Sequence, residues 1–306
     1  MAQELTFQVL VLPSASWDVL IERYTYIEDL GFDSVGVGDH FVDWNNPEVP
    51  WLEAWTVLAA VARETSRIRL ATAVSQFPLR NPALLARQAL TLDHISNGRF
   101  TLGLGTGLTI DPAYDMMGIP NWGPKERVAR FREYVQAVDL MLSNEVSSFD
   151  GEYYQIKDAE MNPRPIQKPR PPLVIAALGP VMLKIAAQFA DGWDSLSFAP
   201  DFDDQLEETR GRIARIDAAC EAIGRDPATL HRSYLMFDAN SRASGGMISY
   251  YESAEIFSDM VRRIVDLGIT EIGLYFPTQA EQRPMFEKIA REVIPELKQS
   301  YAQGSN

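Results

Sequence analysis

Scarcity narrows the chemistry of this chain before any motif does. Its only cysteine, Cys220, excludes an internal disulfide and a cysteine metal cluster, and fits a reducing compartment. The 3 histidines, His40, His94 and His231, are scattered, and no H-E-x-x-H spacing joins them, so no metal is expected. Neither a G-x-S-x-G elbow nor a G-x-x-x-x-G-K-[ST] loop occurs, which leaves the serine-hydrolase and P-loop chemistries without their key residues. Positive charge is also in deficit, with 28 Lys and Arg against 42 Asp and Glu. The net charge of -14 opposes general affinity for nucleic acid or anionic membrane. No apolar run approaches the ~20 residues that span a bilayer. The start, Met1-Ala2-Gln3-Glu4, lacks the basic residues and apolar core of a secretory signal. These absences lead to the expectation of a soluble cytoplasmic protein with a small-molecule substrate and no nucleic-acid or membrane partner.

What is present is a rhythm. Short apolar runs at residues 5–12, 33–38, 68–74, 99–104, 173–177, 193–198, 230–237 and 271–276 read as strands. Helical spacing fills the intervals at 17–30, 53–64, 82–96, 124–142, 181–190, 202–223 and 253–267, and a last helix ends near 297. Gly31 and Asn97-Gly98 are suited to closing two of these helices. Eight strand–helix pairs with no linker predict a parallel sheet closed into a (β/α)8 TIM barrel, a fold that needs ~250 residues. Residues 1–300 form the single domain, and 301–306 a flexible tail. Two stretches break the rhythm. Residues 146–157 read as a hairpin turning at Asp150-Gly151, an insertion after the fourth barrel helix. Residues 108–123 read as one long loop.

In such a barrel the active site is built on the loops that follow the strands. His40 falls on that face, just after the second strand. His94, on the outer ring, and His231, at the start of the seventh strand, are assigned to hydrogen-bonded packing. Asp39-His40-Phe41 with Trp44 sets a carboxylate, an imidazole and two aromatic planes together, a group able to hold a flat heterocycle and move a proton beside it. After the fourth strand, Gly103-Leu104-Gly105-Thr106-Gly107 has the spacing of a dinucleotide fingerprint. No helix begins at once, so that fingerprint fails, and close approach of a ligand to the backbone at Gly105, Thr106 and Gly107 is the better reading. Ala176-Ala177-Leu178-Gly179-Pro180 is a small-residue turn feeding a helix N-terminus, where free N–H groups suit an anion.

Together these segments resemble the luciferase-like monooxygenase superfamily, which includes bacterial luciferase, alkanesulfonate monooxygenase and deazaflavin-dependent dehydrogenases and reductases. The resemblance runs over nearly the whole chain. It is carried by Gly31-Phe32-Asp33-Ser34 into Gly38-Asp39-His40-Phe41, by Thr65-Ser66-Arg67-Ile68-Arg69-Leu70, by Asn81-Pro82-Ala83 on to Gly98-Arg99-Phe100, by Pro165-Ile166-Gln167-Lys168-Pro169 and by Ala190-Asp191-Gly192-Trp193. It implies a second insertion after the seventh strand, where residues 238–252 would be a mobile cover. It also implies a non-proline cis peptide at Ala73-Val74 or Val74-Ser75, lying against a flavin-like ring, and a homodimer.

His40 with Trp44 is similar to the pair in deazaflavin-dependent sugar-phosphate dehydrogenases, with His40 the proton acceptor and Trp44 beside the ring. Those enzymes place a glutamate where this chain has Leu108, which puts a sugar-phosphate substrate in doubt. Asp111 and Asp115 are candidates to replace that acid, and solvated loop carboxylates otherwise.

The resemblance therefore implies hydride exchange between coenzyme F420 and a small organic substrate. His40, Asp39 and Trp44 are the catalytic candidates. Asp39, Ala73, Val74, Ser75, Gly105, Thr106, Gly107, Ala176, Ala177, Leu178 and Gly179 are the cofactor-binding ones. An FMN-dependent monooxygenase or reductase and a non-catalytic flavin-binding barrel stay open. Trp51, Trp55, Tyr114 and Trp122 suggest an apolar or aromatic cavity.

Overall fold

The computed structural model of the chain describes residues 4–238 and 246–304. Strands β1 (Thr6–Val11), β2 (Ser34–Asp39), β3 (Arg69–Gln76) and β4 (Phe100–Gly105) are followed by a hairpin, β5 (Val146–Asp150) and β6 (Gln155–Glu160). Then come β7 (Leu173–Ala176), β8 (Gly192–Ser195), β9 (His231–Leu235) and β10 (Glu271–Tyr275). The hairpin stands apart. The other eight strands close a parallel barrel in the order β1-β10-β9-β8-β7-β4-β3-β2. Helices α1 (Trp17–Leu30), α2 (Ala54–Glu64), α3 (Pro82–Ile95), α5 (Pro124–Ser143), α6 (Pro180–Phe189), α7 (Phe202–Glu221) and α8 (Ala254–Val265) flank it, with α4 (Ala113–Met117) in the loop after β4. The chain then runs through α9 (Arg283–Lys288), a π turn (Ile289–Val293) and α10 (Ile294–Gly304).

Local chemistry sets these boundaries. Every residue of β2 is buried, as expected of a strand covered on both faces. Asn81 accepts from the Ala83 N–H at 2.8 Å with Pro82 at the first helical position, so α3 has a built start. Gly31 at φ 90° closes α1, and Asn97 at 55° with Gly98 at 79° follow α3. Glu53 lies outside α2 and caps it, accepting from Thr56 N–H at 2.7 Å.

Four expectations need correction. Residues 108–123 contain helix α4, too short for periodicity to reveal between Pro112 and Gly118. The hairpin turns over four residues, with Gly151 N–H donating to Tyr154 at 2.9 Å, where a two-residue turn was read. The last helix continues to Gly304, through most of the stretch assigned to a tail, and residues 305–306 lie outside the described ones. The insertion after β9 is not a loose cover over residues 248–252. Ile248 exchanges two hydrogen bonds with the Gln282 side chain, and Tyr250 and Tyr251 are buried. Residues 239–245 of that expected cover lie outside the described residues.

Strand β3 is the irregular member of the barrel. Its pairing slips against both neighbours, and the Ala73-Val74 peptide within the slip is cis. A Cβ on Gly103 would sit 2.1 Å from the Thr72 carbonyl oxygen, and one on Gly105 would sit 2.7 Å from Val74 Cγ2. Glycine at positions 103 and 105 of β4 thus admits the bulged β3, a packing demand that the sequence reading did not include. Among the described residues no helix is long and apolar enough to cross a membrane.

Candidate functional site

A cavity of about 290 Å³ opens at the C-terminal mouth of the barrel. Its walls are mostly apolar, with Leu10, Leu12, Val74, Leu178, Met182 and Leu235 among them. Of the residues singled out from the sequence, it brings together His40, Trp44, Ala73, Val74, Gly105, Thr106, Gly107, Ala176, Leu178 and Gly179. Three do not reach it. Asp39 is buried behind the wall, where its carboxylate takes Arg80, the Ser75 hydroxyl and Trp55 Nε1, the last at 3.1 Å. That side chain anchors Arg80 and is not available to a ligand. Ser75 is used in the same knot. Ala177 is buried in the core, its carbonyl accepting from Trp193 Nε1 at 2.8 Å.

The aromatic expectation also shifts. Trp51, Trp55, Tyr114 and Trp122 do not line the cavity. Trp51 donates to the His40 carbonyl at 2.9 Å, and Trp122 stacks on Phe77 with ring centres 5.7 Å apart. Phe41 is turned to solvent, 49% exposed. The aromatic walls are Trp44, Phe198, Phe237 and Tyr275.

His40 is held by a network drawn from the end of β3, the segment after β4 and α5. Its Nδ1 lies 2.8 Å from Asp111 Oδ2. Asp111 is buried, a correction to the solvated loop acid read from the sequence, whereas Asp115 is exposed. Burial by itself would raise the Asp111 pKa. Hydrogen bonds from His40, Gln76 and the Ala113 N–H outweigh it and hold the group below the usual carboxylate value. An ionised Asp111 can only accept, so His40 Nδ1 carries the hydrogen and Nε2 is the nitrogen left for the cavity.

The Gln76 amide shares the Asp111 acceptor with His40. Its Nε2 is 2.9 Å from Asp111 Oδ2 and 3.3 Å from the Asp39 carbonyl, while its Oε1 accepts from Tyr114 at 2.9 Å. Turning the amide over would put its oxygen against a carboxylate. Gln76 Nε2 also lies 2.7 Å from His40 Nδ1, a crowded contact that the shared acceptor offsets. Arg127, buried in turn, donates to Tyr114 Oη at 3.1 Å and to the Thr106 carbonyl at 2.9 Å. Arg127, Tyr114, Gln76 and Asp111 therefore fix the imidazole as a chain. Gly107 lets the loop pass: at φ 70°, its missing Cβ would lie 2.3 Å from both Gln76 Oε1 and Tyr114 Oη.

Two groups at the mouth escaped the sequence reading. Ser195 is buried in the cavity wall, and its Oγ has no hydrogen-bond partner among the described residues. Beside it, Asp194 points into the barrel, with Ser233 Oγ donating to Oδ1 at 2.7 Å. Burial raises its pKa to about 7, with Glu271 adding to the rise and hydrogen bonds from Ser233 and Ser195 N–H opposing it. The available signal was a carboxylate inside a strand that should be apolar.

The anion-binding expectation at Leu178 and Gly179 meets a suitable shape. Gly179 caps α6 with no side-chain cap, Pro180 takes the first helical position, and a Cβ on Gly179 would meet nothing within 4 Å. The other two histidines are structural, as read: His94 Nε2 lies 2.8 Å from the Arg164 carbonyl, and His231 Nε2 2.8 Å from Glu271 Oε2.

Comparison with known proteins follows this geometry. A family model described as luciferase-like monooxygenase matches residues 5–245. An F420-dependent glucose-6-phosphate dehydrogenase of Kineococcus radiotolerans is 38% identical over 309 residues, covering 89% of this chain and 90% of that protein. A protein of the same description from Amycolatopsis mediterranei is 37% identical over 178 residues, 57% of this chain and 52% of that one. The chain thus matches about half the length of the second relative and nearly all of the first. The coenzyme F420-dependent tetrahydromethanopterin reductase of Methanopyrus kandleri superposes with a TM-score of 0.77 at 20% identity, over 96% of this chain and 99% of that one. At that identity the likeness is one of fold.

Proposed function

Since this chain belongs to the luciferase-like monooxygenase family, we propose that it is an oxidoreductase moving hydride between coenzyme F420 and a small organic substrate at the barrel mouth. The observation that carries the proposal is His40 Nε2 presented to an apolar cavity and backed by an ionised, buried Asp111. The F420-dependent relative that matches most of its length supports the choice of cofactor.

The residues present fit such a group. An unpartnered Ser195 Oγ waits in the wall for a polar atom of a ligand. Leu10, Val74, Leu178 and Met182 would face a flat ring, and the open N-terminus of α6 at Gly179 would take its phosphate. When bound, the deazaflavin supplies the carbon that accepts or gives hydride. His40 Nε2 takes the hydroxyl proton of an alcohol, or returns it to a carbonyl. Asp111 holds the ring in one tautomer and stabilises the imidazolium that forms. Trp44 closes the side of the cavity.

Among the described residues lining the cavity there is no lysine or arginine. A phosphate dianion would gain no countercharge from them, so the substrate class we propose is an uncharged alcohol or carbonyl compound. Arg242 lies outside the described residues. A homodimer, the arrangement implied by the family resemblance, is proposed with it, and light scattering checks that.

Equilibrium titration with F420 and with FMN tests the cofactor. F420 should bind and FMN should not compete; tight FMN binding with none for F420 transfers the site to flavin chemistry. His40→Ala should then lower turnover by ~100-fold or more with F420 affinity kept. Unchanged turnover would remove His40 from the reaction, and no turnover with any substrate would favour a non-catalytic binding barrel.

A further inference from the structure

A second cavity, about 400 Å³, lies below the first, at the N-terminal half of the barrel. Polar side chains stand in its wall, Gln8, Arg69, Thr72, His231, Ser233 and Glu271 among them. Asp194 borders both cavities, and so do Ala73 and Val74, which carry no titratable group. The carboxyl therefore stands in the partition between the mouth and the opposite face.

Its two oxygens are not equivalent. Oδ1 accepts from Ser233 Oγ at 2.7 Å. Below it, Glu271 accepts from Gln8 Nε2 at 3.4 Å and pairs with His231 at 2.8 Å. The His231 and Glu271 side chains are 34% and 20% exposed, so this end of the row meets solvent. Each cavity also has a buried serine hydroxyl without a partner among the described residues, Ser195 above and Ser34 below. Water admitted among these polar groups would join Glu271 to the Ser233–Asp194 pair.

Resting on the hydride-transfer reading above, we propose that Asp194 is the second proton-carrying group of the site, giving a proton to the redox ring at the mouth and recovering it through the lower cavity. Oxidation of an alcohol shows the need. The C–H bond breaks and its electron pair leaves with the hydrogen as hydride to the ring carbon. The O–H bond breaks and its proton passes to His40 Nε2. Two-electron reduction of the ring also takes up one proton at nitrogen. Asp194 gives it and is left as a carboxylate; His40 then releases the alcohol's proton to solvent at the mouth, and Asp194 regains one through the lower cavity, so the protein ends the cycle as it began. Position 108, after the β4 glycines, is leucine and carries no proton. Asp111 is committed to His40.

The titratable groups that share a cavity wall with Asp194 are Glu271 and His231 from β10 and β9, Arg69 from β3, Asp33 and Asp191 at the lower rim, and His40 and Tyr275 at the mouth. Burial raises its proton affinity most, Ser233 opposes this, and Glu271 adds to the rise.

Infrared difference spectra of the ligand-free protein, followed against pH, read the proton without any cofactor. The wild type should show a protonated carboxyl band titrating near neutral pH. Asp194→Asn should abolish that band, Ser233→Ala should move its midpoint up, and Glu271→Gln should move it down. In the F420-loaded protein, Asp194→Asn should cut turnover by ~100-fold while F420 affinity stays within about threefold, and Asp194→Glu should recover part of the rate.

No carboxyl band titrating between about pH 5 and about pH 9, or midpoints unmoved in the Ser233 and Glu271 variants, overturns the proposal. So does an Asp194→Asn enzyme within about threefold of wild type across the pH profile. If the band titrates as described and the wild type binds no F420, the cofactor assignment falls and the proton at the partition stands.

Discussion

Asp194, in the partition between the cavities, and Asp111, behind His40, are two carboxylates whose surroundings drive them in opposite directions. Asp111 has three donors and stays ionised. Burial, with Glu271 adding to it, lets Asp194 keep its proton to about pH 7. The consequences for stability have opposite signs. Asp111 adds stability that is complete above the ordinary value of 3.8 and is lost as pH falls through its depressed one. Asp194 holds more protons folded than unfolded between that ordinary value and about 7, so it costs stability as pH rises through this window and the full penalty applies above it. A shift of this size corresponds to at most ~4 kcal/mol. Asp194→Asn should therefore be more stable than wild type by ~2–4 kcal/mol near pH 8, with the gap closing towards pH 4, in denaturant melts at the two pH values. An equal gap at both would mean that the buried carboxyl is not what destabilises this strand.

At the level of elements, the same residue type does opposite things in β4 and α7. Gly103 has the Thr72 carbonyl oxygen where its Cβ would go, at 2.1 Å, and backbone cannot step aside as a side chain tip can. Gly211, inside α7, has nothing within 4 Å. Gly103→Ala should cost ~3 kcal/mol or more by forcing β3 off β4. Gly211→Ala should gain ~0.5–1 kcal/mol from helix propensity alone. Urea titration of both variants checks the contrast, and a neutral Gly103→Ala would show that the β3 bulge is free to move.

Sequence periodicity located all eight barrel strands and the long helices to within a few residues. These elements are long enough to repeat a pattern, and Gly31, Asn81 and Gly98 mark ends by local chemistry. Helix α4 and the four-residue hairpin turn were not legible, because each depends on contacts outside its own few residues.

On the scale of the whole molecule, a 306-residue barrel converts ligand binding into a modest thermal shift. Saturation at 100 times the dissociation constant adds ~2.7 kcal/mol. An unfolding entropy near 2.1 cal/mol/K per residue makes that ~4 °C in Tm. F420 should produce this rise in a thermal melt, and an equal rise with FMN but none with F420 would contradict the proposed cofactor. The net charge of -14 gives no general attraction to such an anionic ligand, so if backbone N–H groups at α6 meet its anion, as proposed, the shift should depend weakly on salt.

The sequence by itself determined the barrel, its catalytic face, and the place of His40, Trp44 and the Leu178-Gly179 turn on it. Those follow from local pattern and from the rule that strand C-termini share one rim. Only the tertiary structure decided which carboxylate serves His40. Asp39 adjoins it in the chain yet is taken by Arg80, while Asp111, 71 positions away, supplies the partner. It alone put Asp194 between two cavities. Hydrogen-bond partners and burial belong to the closed cylinder, where residues from distant strands meet, and a linear pattern does not encode which of them will.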